Sequence, residues 1–104
     1  MTEPLTRLRV VVRGRVQGVG FRWFVVERAQ ELSLSGWVRN RPDGSVELEA
    51  EGPAEALARF VEGLKRGPAL ARVETVDARA VPPAGGDAFE VVALEPEWNR
   101  APIP

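Results

Sequence analysis

The residues on either side of a Gly-rich stretch near the N-terminus constrain the fold more than any other part of the sequence. Residues 7–13 read Arg-Leu-Arg-Val-Val-Val-Arg, an alternation typical of a strand with one buried face. After the Gly-rich residues 14–20, apolar side chains recur at helical spacing, at Phe21, Val25, Ala29 and Leu32. The chain is therefore expected to begin with a strand, a Gly-rich loop and a helix of about three turns.

The next residues predict a hairpin of two strands. Residues 34–40 have a strand-like pattern and are followed by Arg-Pro-Asp-Gly at 41–44, a sequence typical of a turn. Beyond the turn, Val46, Leu48 and Ala50 alternate with three glutamates. This alternation predicts a third strand whose other face is a solvated acidic stripe of Glu47, Glu49 and Glu51.

The remaining residues predict a second helix and two further strands. Pro53 is expected at the first helical position, where its missing N–H has no cost. The helix has an apolar stripe and ends at Gly67-Pro68; the stripe consists of Leu57, Phe60, Val61 and Leu64. Residues 72–81 and 89–94 are strand-like, and residues 95–104, with three Pro, predict an irregular tail.

The element order β-α-β-β-α-β, with an extra edge strand, is that of the ferredoxin-like or split βαβ sandwich. In this α+β fold two helices pack on one face of an antiparallel sheet. All predicted connections are short, so we expect a single domain over residues 1–104 with a core at about 7–94. The fold hosts many unrelated activities, and function must be argued from a site.

Composition excludes several kinds of chemistry and of partner. The chain has no Cys and no His, so it lacks disulfides, the usual zinc ligands and the usual proton shuttle near neutral pH. Its formal net charge of -1 disfavours bulk binding to nucleic acid or to an acidic membrane. No secretory signal is visible and no apolar run approaches the roughly 20 residues of a membrane span, so we expect a cytoplasmic protein.

The N-terminal part of the chain is basic. Residues 1–41 hold eight Arg and three Glu, a balance of +5, so the remaining residues carry -6. An anion is therefore expected to bind within the basic part. Most of these arginines would also suit a role as solvated surface charges, and only their positions can single out the others.

The lengths of the first elements predict where an anion would bind. A helix of about 12 residues and a strand of about six both span roughly 20 Å, so the second strand should run parallel to the first and end beside the Gly-rich loop. Asn40 would then lie near Arg22, in the first turn of the helix. Backbone N–H groups of such a loop, together with the positive end of a helix, suit a phosphate. Arg22 adds charged donors that can bind two oxygens.

Each of these features also has a structural explanation. The pattern Gly-x-x-x-Gly-x-Gly is compatible with a plain turn, and it matches neither a nucleotide-binding P-loop nor the dinucleotide fingerprint. Asn40, close to Pro42 and Asp43, suits a turn. Trp23 and Trp37 are expected to pack in the interior, and a stacking platform for bases is the alternative. Arg22 has valines, not acids, one helical turn further on, which favours an external anion.

Two motifs resemble the acylphosphatase family. They are Val-Gln-Gly-Val-Gly-Phe-Arg at residues 16–22 and Gly-Trp-Val-x-Asn-x-x-Asp-Gly at residues 36–44. The resemblance extends over about residues 7–94 and includes Ala29, Leu32, Leu34, Val46, Gly52, Gly67, Pro68, Ala71 and Val73. Ser33 departs from the Leu-Gly-Leu usual at its position, and the tail is longer than is common in the family.

The resemblance implies a small hydrolase that cleaves the carboxyl–phosphate bond of small acyl phosphates without a metal or cofactor, and we expect a monomer. It implies that the catalytic residues are Arg22, which binds the phosphoryl group, and Asn40, which positions the attacking water. The backbone of the loop would hold the phosphate oxygens, with contributions from Arg15, Val16, Gln17, Gly18, Val19 and Gly20. Inorganic phosphate and sulfate are expected to bind as product and analogue, whereas nucleic acid and membranes are not expected as partners.

Two other functions stay open. RNA-recognition domains share the architecture, and Gly-Phe-Arg-Trp-Phe-Val at residues 20–25 superficially matches their Gly-Phe-x-x-Phe-Val element. In those domains the aromatics lie on a central strand, whereas helical spacing follows Phe21 here, which disfavours this interpretation. A sensor or partner module that keeps the anion pocket without activity also fits the sequence.

Overall fold

The computed structural model describes residues 4–93. Its elements are β1 (Thr6–Arg15), α1 (Phe21–Glu31), β2 (Ser35–Asn40), β3 (Val46–Gly52), α2 (Ala54–Arg66), β4 (Arg72–Val81) and β5 (Phe89–Val91). The predicted order of strands and helices is confirmed. The predicted irregular tail at 95–104 and the last residue of the predicted final strand, Leu94, lie outside the described residues.

The five strands form one sheet in the order β4-β1-β3-β2-β5. Strand β3 lies between β1 and β2 and is antiparallel to both, so β1 and β2 run in the same direction, as predicted. The extra edge strand β5 pairs with β2 in parallel, and the sheet is therefore not antiparallel throughout. The architecture is the predicted ferredoxin-like α+β sandwich.

Both helices pack on the same face of the sheet. Helix α1 contacts β2 and β5, and α2 contacts β4, β3 and β1. The core between the layers is formed by the apolar positions of the alternating strands and by one face of each helix. Among its fully buried members are Val10, Val12, Val25, Val38, Leu48, Phe60 and Leu64.

Helix α2 begins one residue later than predicted. Pro53 has φ -61° and ψ 145°, so it is the extended residue before the helix and not its first helical residue. The pyrrolidine ring fixes φ alone, and an extended ψ at this position continues the direction of β3 before the chain turns. The N–H of Leu57 donates to the Pro53 carbonyl, which closes the first turn of the helix.

The position where the sequence departs from the acylphosphatase pattern lies just after helix α1, which ends at Glu31. Ser33 has φ 56°, the left-handed conformation that glycine adopts most easily. Its N–H donates to the Gln30 carbonyl, and the N–H of Leu34 donates to the Ala29 carbonyl. The helix therefore closes with an ordinary left-handed terminus in spite of the side chain.

The acidic residues of β3 are buried, and their prediction as a solvated stripe is wrong. Glu47, Glu49 and Glu51 are 7%, 2% and 3% exposed, on the face of the sheet opposite the helices. Each pairs with an arginine of a neighbouring strand; these pairs are Arg7–Glu49, Arg7–Glu51, Arg9–Glu49 and Arg39–Glu47. The alternation identified the strand correctly, but arginines on both neighbouring strands neutralise its charged face.

Candidate active site

A cavity of about 270 Å³ lies at the end of the sheet where β2 ends and α1 begins. Its lining residues are Val16, Gly18, Gly20, Phe21, Arg22, Trp23, Asn40 and Val91. Arg22 and Asn40 thus border the same cavity although 18 positions separate them in the sequence. The predicted convergence of these two side chains beside the Gly-rich loop is confirmed.

The loop at residues 16–20 crosses one side of the cavity. Gly18 and Gly20 have φ +74° and +78°, which glycine adopts without steric cost. Apart from each glycine and its two chain neighbours, no described heavy atom lies within 4 Å of where a Cβ would be placed. Within residues 4–93, the N–H groups of residues 17–20 donate to no protein acceptor. The loop therefore offers open space and several unused donors.

Helix α1 adds donors at the same place. Gly20 is the residue before its first turn. No side chain of the described residues caps the helix, and the first turn contains no acidic residue. The first N–H groups of any helix have no partner inside it, and the helix dipole makes this end partly positive. Loop and helix together present a set of N–H donors that suits an anion.

Arg22 places an unneutralised guanidinium on this cavity. In the described part of the chain, six of the eight N-terminal arginines form ion pairs, namely Arg7, Arg9, Arg13, Arg28, Arg39 and Arg41. The two that form none with a described residue are Arg15 and Arg22. Only Arg22 of these two lines the cavity. Its charge is therefore available to a bound anion.

The side-chain oxygen of Asn40 accepts no hydrogen bond within the described residues. Asn40 is the last residue of β2, and its Oδ1 atom is buried without a hydrogen bond to any described residue. A buried amide oxygen left without a donor is costly and rare, and bound water or a ligand is the usual explanation. Asn40 lines the cavity, so its side-chain amide lies beside any molecule bound there.

The turn after β2 is stabilised by a different side chain. Asp43 Oδ1 accepts hydrogen bonds from the hydroxyl and the N–H of Ser45, at 2.5 and 2.9 Å. These bonds, from the hydroxyl first and then the N–H, outweigh burial and lower the pKa of Asp43. The interpretation of Asn40 as a turn former is therefore not supported, since Asp43 has that role.

Gln17 fixes the loop to this turn. Its Nε2 donates to the Arg41 carbonyl at 2.8 Å and to the Ser45 carbonyl at 2.9 Å. Both acceptors belong to the segment that follows Asn40 in the chain. The side chain of Gln17 thus holds the loop and the end of β2 at a constant separation.

The structure divides the six predicted phosphate-binding loop residues into two groups. Val16, Gly18 and Gly20 line the cavity. The other three do not: Arg15 ends β1 with an exposed side chain, Gln17 bonds to the turn, and Val19 packs against the core.

Three lining residues were not predicted, and they are Phe21, Trp23 and Val91. Trp23 adjoins Arg22 in the sequence, but we expected it to pack in the interior, and its exposure of 66% shows that this was wrong. Trp37 is 1% exposed, as expected. The sequence around Val91 does not indicate that this residue lines the cavity, because its position depends on the pairing of β5 with β2.

Within residues 4–93, no group of three or more His, Cys, Asp or Glu side chains is placed to hold a metal ion. In the same part of the chain, neither helix has the length and apolar character needed to cross a bilayer.

Taken together, the fold and cavity define a small α+β sandwich with a cavity between its first strand, its first helix and the end of β2. A family model described as acylphosphatase matches residues 8–91. An acylphosphatase of Thermus thermophilus is 53% identical over 87 residues, covering 84% of this chain and 99% of that protein. The chain belongs to the acylphosphatase family.

Solved structures agree with this assignment. The crystal structure of acylphosphatase from Bacillus subtilis has a TM-score of 0.80 and 44% identity, covering 86% of this chain and 99% of that chain. An acylphosphatase from Coxiella burnetii has a TM-score of 0.82 and 39% identity, covering 85% and 93%. The resemblance stated from the sequence, the fold class and the enzyme class are therefore confirmed.

Proposed function

We propose that this chain hydrolyses small acyl phosphates in the cavity bordered by the loop, Arg22 and Asn40. The observation that carries the proposal is the meeting of two unsatisfied groups on one cavity. They are the guanidinium of Arg22, which forms no ion pair within residues 4–93, and Oδ1 of Asn40, which accepts no hydrogen bond from the same residues. The unused N–H donors of the loop adjoin both.

The phosphoryl group of the substrate would bind to the donors. Its oxygens accept hydrogen bonds from the N–H groups of the loop and of the first turn of α1, and the guanidinium of Arg22 binds two of them. The negative charge that develops on these oxygens as the bond to phosphorus breaks is stabilised by donors that are already in place. Phosphoryl transfer depends largely on such positioning and charge stabilisation.

Asn40 would hold the attacking water. Its Oδ1 accepts a hydrogen bond from the water, whose oxygen attacks phosphorus in line with the departing carboxylate. The bond between phosphorus and the carboxylate oxygen breaks, and the carboxylate leaves with the electron pair. A proton of the water passes to a phosphate oxygen of the substrate, so the products are a carboxylate and inorganic phosphate.

The absence of His from the sequence is compatible with this chemistry. The conjugate acid of the leaving carboxylate has a pKa of about 4 to 5, so the group leaves without a general acid. No neutral-pH proton shuttle is then required. Action without a metal or cofactor stays part of the proposal.

The proposal also includes the ligands, partners and location of the protein. Inorganic phosphate and sulfate are expected to occupy the donor set as product and analogue. A monomeric state, a cytoplasmic location, a single domain and the absence of nucleic-acid and membrane partners are expected from the sequence.

The proposal is tested by measuring hydrolysis of benzoyl phosphate and acetyl phosphate by the wild type, Arg22→Ala and Asn40→Ala. Both variants are expected to lose activity by about a hundredfold or more, because each removes a group that acts on the transition state. The matched control is Arg59→Ala, which removes an exposed arginine of α2 paired with Glu55 and should leave activity unchanged.

Wild-type protein without activity on either substrate would contradict the proposal and favour a sensor or partner module. Full activity in both variants would show that the reaction occurs elsewhere. Binding of single-stranded RNA at moderate salt, measured on filters, would instead favour the RNA-recognition function.

A further inference from the structure

The cavity has an apolar side that phosphate binding does not use. Within residues 4–93, four large apolar side chains are exposed, namely Leu5, Trp23, Leu70 and Val91. Two of them, Trp23 at 66% and Val91 at 48%, line the cavity that contains Arg22 and Asn40. Single exposed apolar side chains are ordinary, but two that border one cavity from distant parts of the chain form a surface suited to an apolar ligand.

Folding does not require Trp23 to lie where it does. The buried side of α1 consists of Phe21, Val25, Val26 and Ala29. Trp23 lies on the other side, beside Arg22, and its ring forms no stacked or edge contact with the rings of the described residues. A large aromatic surface is thus left in water at the edge of the site, where a ligand can cover it.

Val91 reaches the cavity from another element. It is the last residue of β5 and is paired in parallel with Val38, two positions before Asn40 in β2. The N–H of Val92 donates to the Val38 carbonyl at 2.9 Å, which holds the end of β5 beside the end of β2. The apolar side of the cavity is therefore built on two ordered elements.

An acyl phosphate has two chemically different halves. The phosphoryl half is a dianion that the N–H groups and Arg22 can bind, whereas the acyl half is uncharged and carries the substituent that differs among substrates. We infer that Trp23 and Val91 contact the acyl group and make the enzyme favour acyl phosphates with an aromatic or large apolar acyl group over acetyl phosphate. The inference rests on the proposed function and adds the substrate class to it.

The test compares kcat/KM for benzoyl phosphate with kcat/KM for acetyl phosphate. Both leaving carboxylates have conjugate-acid pKa values of about 4 to 5, so the ratio of the two constants reports contacts with the acyl group. Trp23→Ala is expected to lower the benzoyl-to-acetyl ratio by about three- to tenfold, the value of one aromatic contact. Trp23→Phe should restore most of the ratio.

Two further measurements keep the result specific. The inhibition constant of inorganic phosphate should be the same in Trp23→Ala and in the wild type, because phosphate has no acyl group. The matched control is Leu70→Ala, which removes an equally exposed side chain that does not line the cavity and should leave the ratio unchanged. If Trp23→Ala does not fold, Val91→Ala should still lower the ratio, by about twofold to fivefold.

An unchanged ratio in folded Trp23→Ala would overturn the inference, as would an equal loss on both substrates. An equal loss would mean that the ring supports the loop and not the acyl group. These outcomes leave the proposed function standing, because the wild type would still hydrolyse both substrates. A wild type that hydrolyses neither would instead overturn the proposed function.

Discussion

At the scale of single residues, the loop and the end of β2 each contain an amide side chain, and the two have different roles. The Nε2 atom of Gln17 donates hydrogen bonds to the backbone carbonyls of Arg41 and Ser45. Asn40 has a buried Oδ1 that accepts no hydrogen bond from residues 4–93. The first side chain holds the site together, and the second is available for water. Sequence motifs placed both residues at the site, but only the hydrogen bonds show that Gln17 is bound to the turn, whereas the proposed catalytic role of Asn40 depends on the assays described above.

Gln17→Ala is expected to weaken both folding and catalysis. The change removes two hydrogen bonds, although each carbonyl keeps one backbone donor, the N–H of Gly44 or of Arg41. The free energy of unfolding should therefore fall by about 1 kcal/mol. The loop should then lie less precisely beside Asn40, and kcat/KM should fall by about tenfold. Urea denaturation and hydrolysis assays measure the two effects.

The matched control for this prediction is Gln30→Ala, which truncates an exposed side chain of α1 and should change neither quantity. A Gln17→Ala variant with normal stability and normal kcat/KM would show that the loop keeps its place without this side chain.

At the scale of elements, β3 shows what an alternating pattern can and cannot predict. The alternation correctly assigned Val46, Leu48 and Ala50 to one face and the glutamates to the other. It could not show that the second face is covered, because coverage depends on which strands and loops lie beside it. The neighbours are the arginines of β1 and β2 and, for Glu51, the N–H groups of Ala84 and Gly85.

Glu51 makes the free energy of unfolding depend on pH. Burial raises the pKa of Glu51, but the N–H donors of Ala84 and Gly85 and the guanidinium of Arg7 outweigh it, so its pKa lies below the ordinary value of 4.5. A carboxyl with a lowered pKa in the folded state adds stability above pH 4.5. That stability is lost as the pH falls towards and through the folded pKa.

Glu51→Gln is expected to reduce the free energy of unfolding by about 2 kcal/mol at pH 7, because charged hydrogen bonds are lost. The difference from the wild type should be constant above pH 4.5 and shrink below it, as measured by denaturation at a series of pH values. Glu55→Gln, at an exposed pair on α2, is the control and should differ little from the wild type. If the difference in free energy of unfolding between the wild type and Glu51→Gln did not change with pH, the charge of Glu51 would not have the stabilising role proposed for it.

At the scale of the whole molecule, topology brings the site together. Because β1 and β2 run in the same direction on either side of β3, the Gly-rich loop, the start of α1 and Asn40 lie at one end of the sheet. The lengths of the first strand, helix and second strand were enough to predict this meeting.

The contribution of Val91 was not predictable, because nothing in its local sequence shows that β5 pairs with β2. The exposure of the Trp23 ring was not predicted either, because an aromatic residue beside a helical apolar pattern is usually buried.

The central claim is that Arg22 binds the phosphoryl group and that Asn40 acts on the water alone. Calorimetric titration of inorganic phosphate into the wild type, Arg22→Ala and Asn40→Ala tests it most directly, with circular dichroism to show that each variant is folded. We expect Asn40→Ala to bind phosphate within about threefold of the wild type and Arg22→Ala to bind it at least about thirtyfold more weakly, since a bidentate charged contact is lost. Loss of phosphate binding in folded Asn40→Ala, or unchanged binding in folded Arg22→Ala, would contradict the claim.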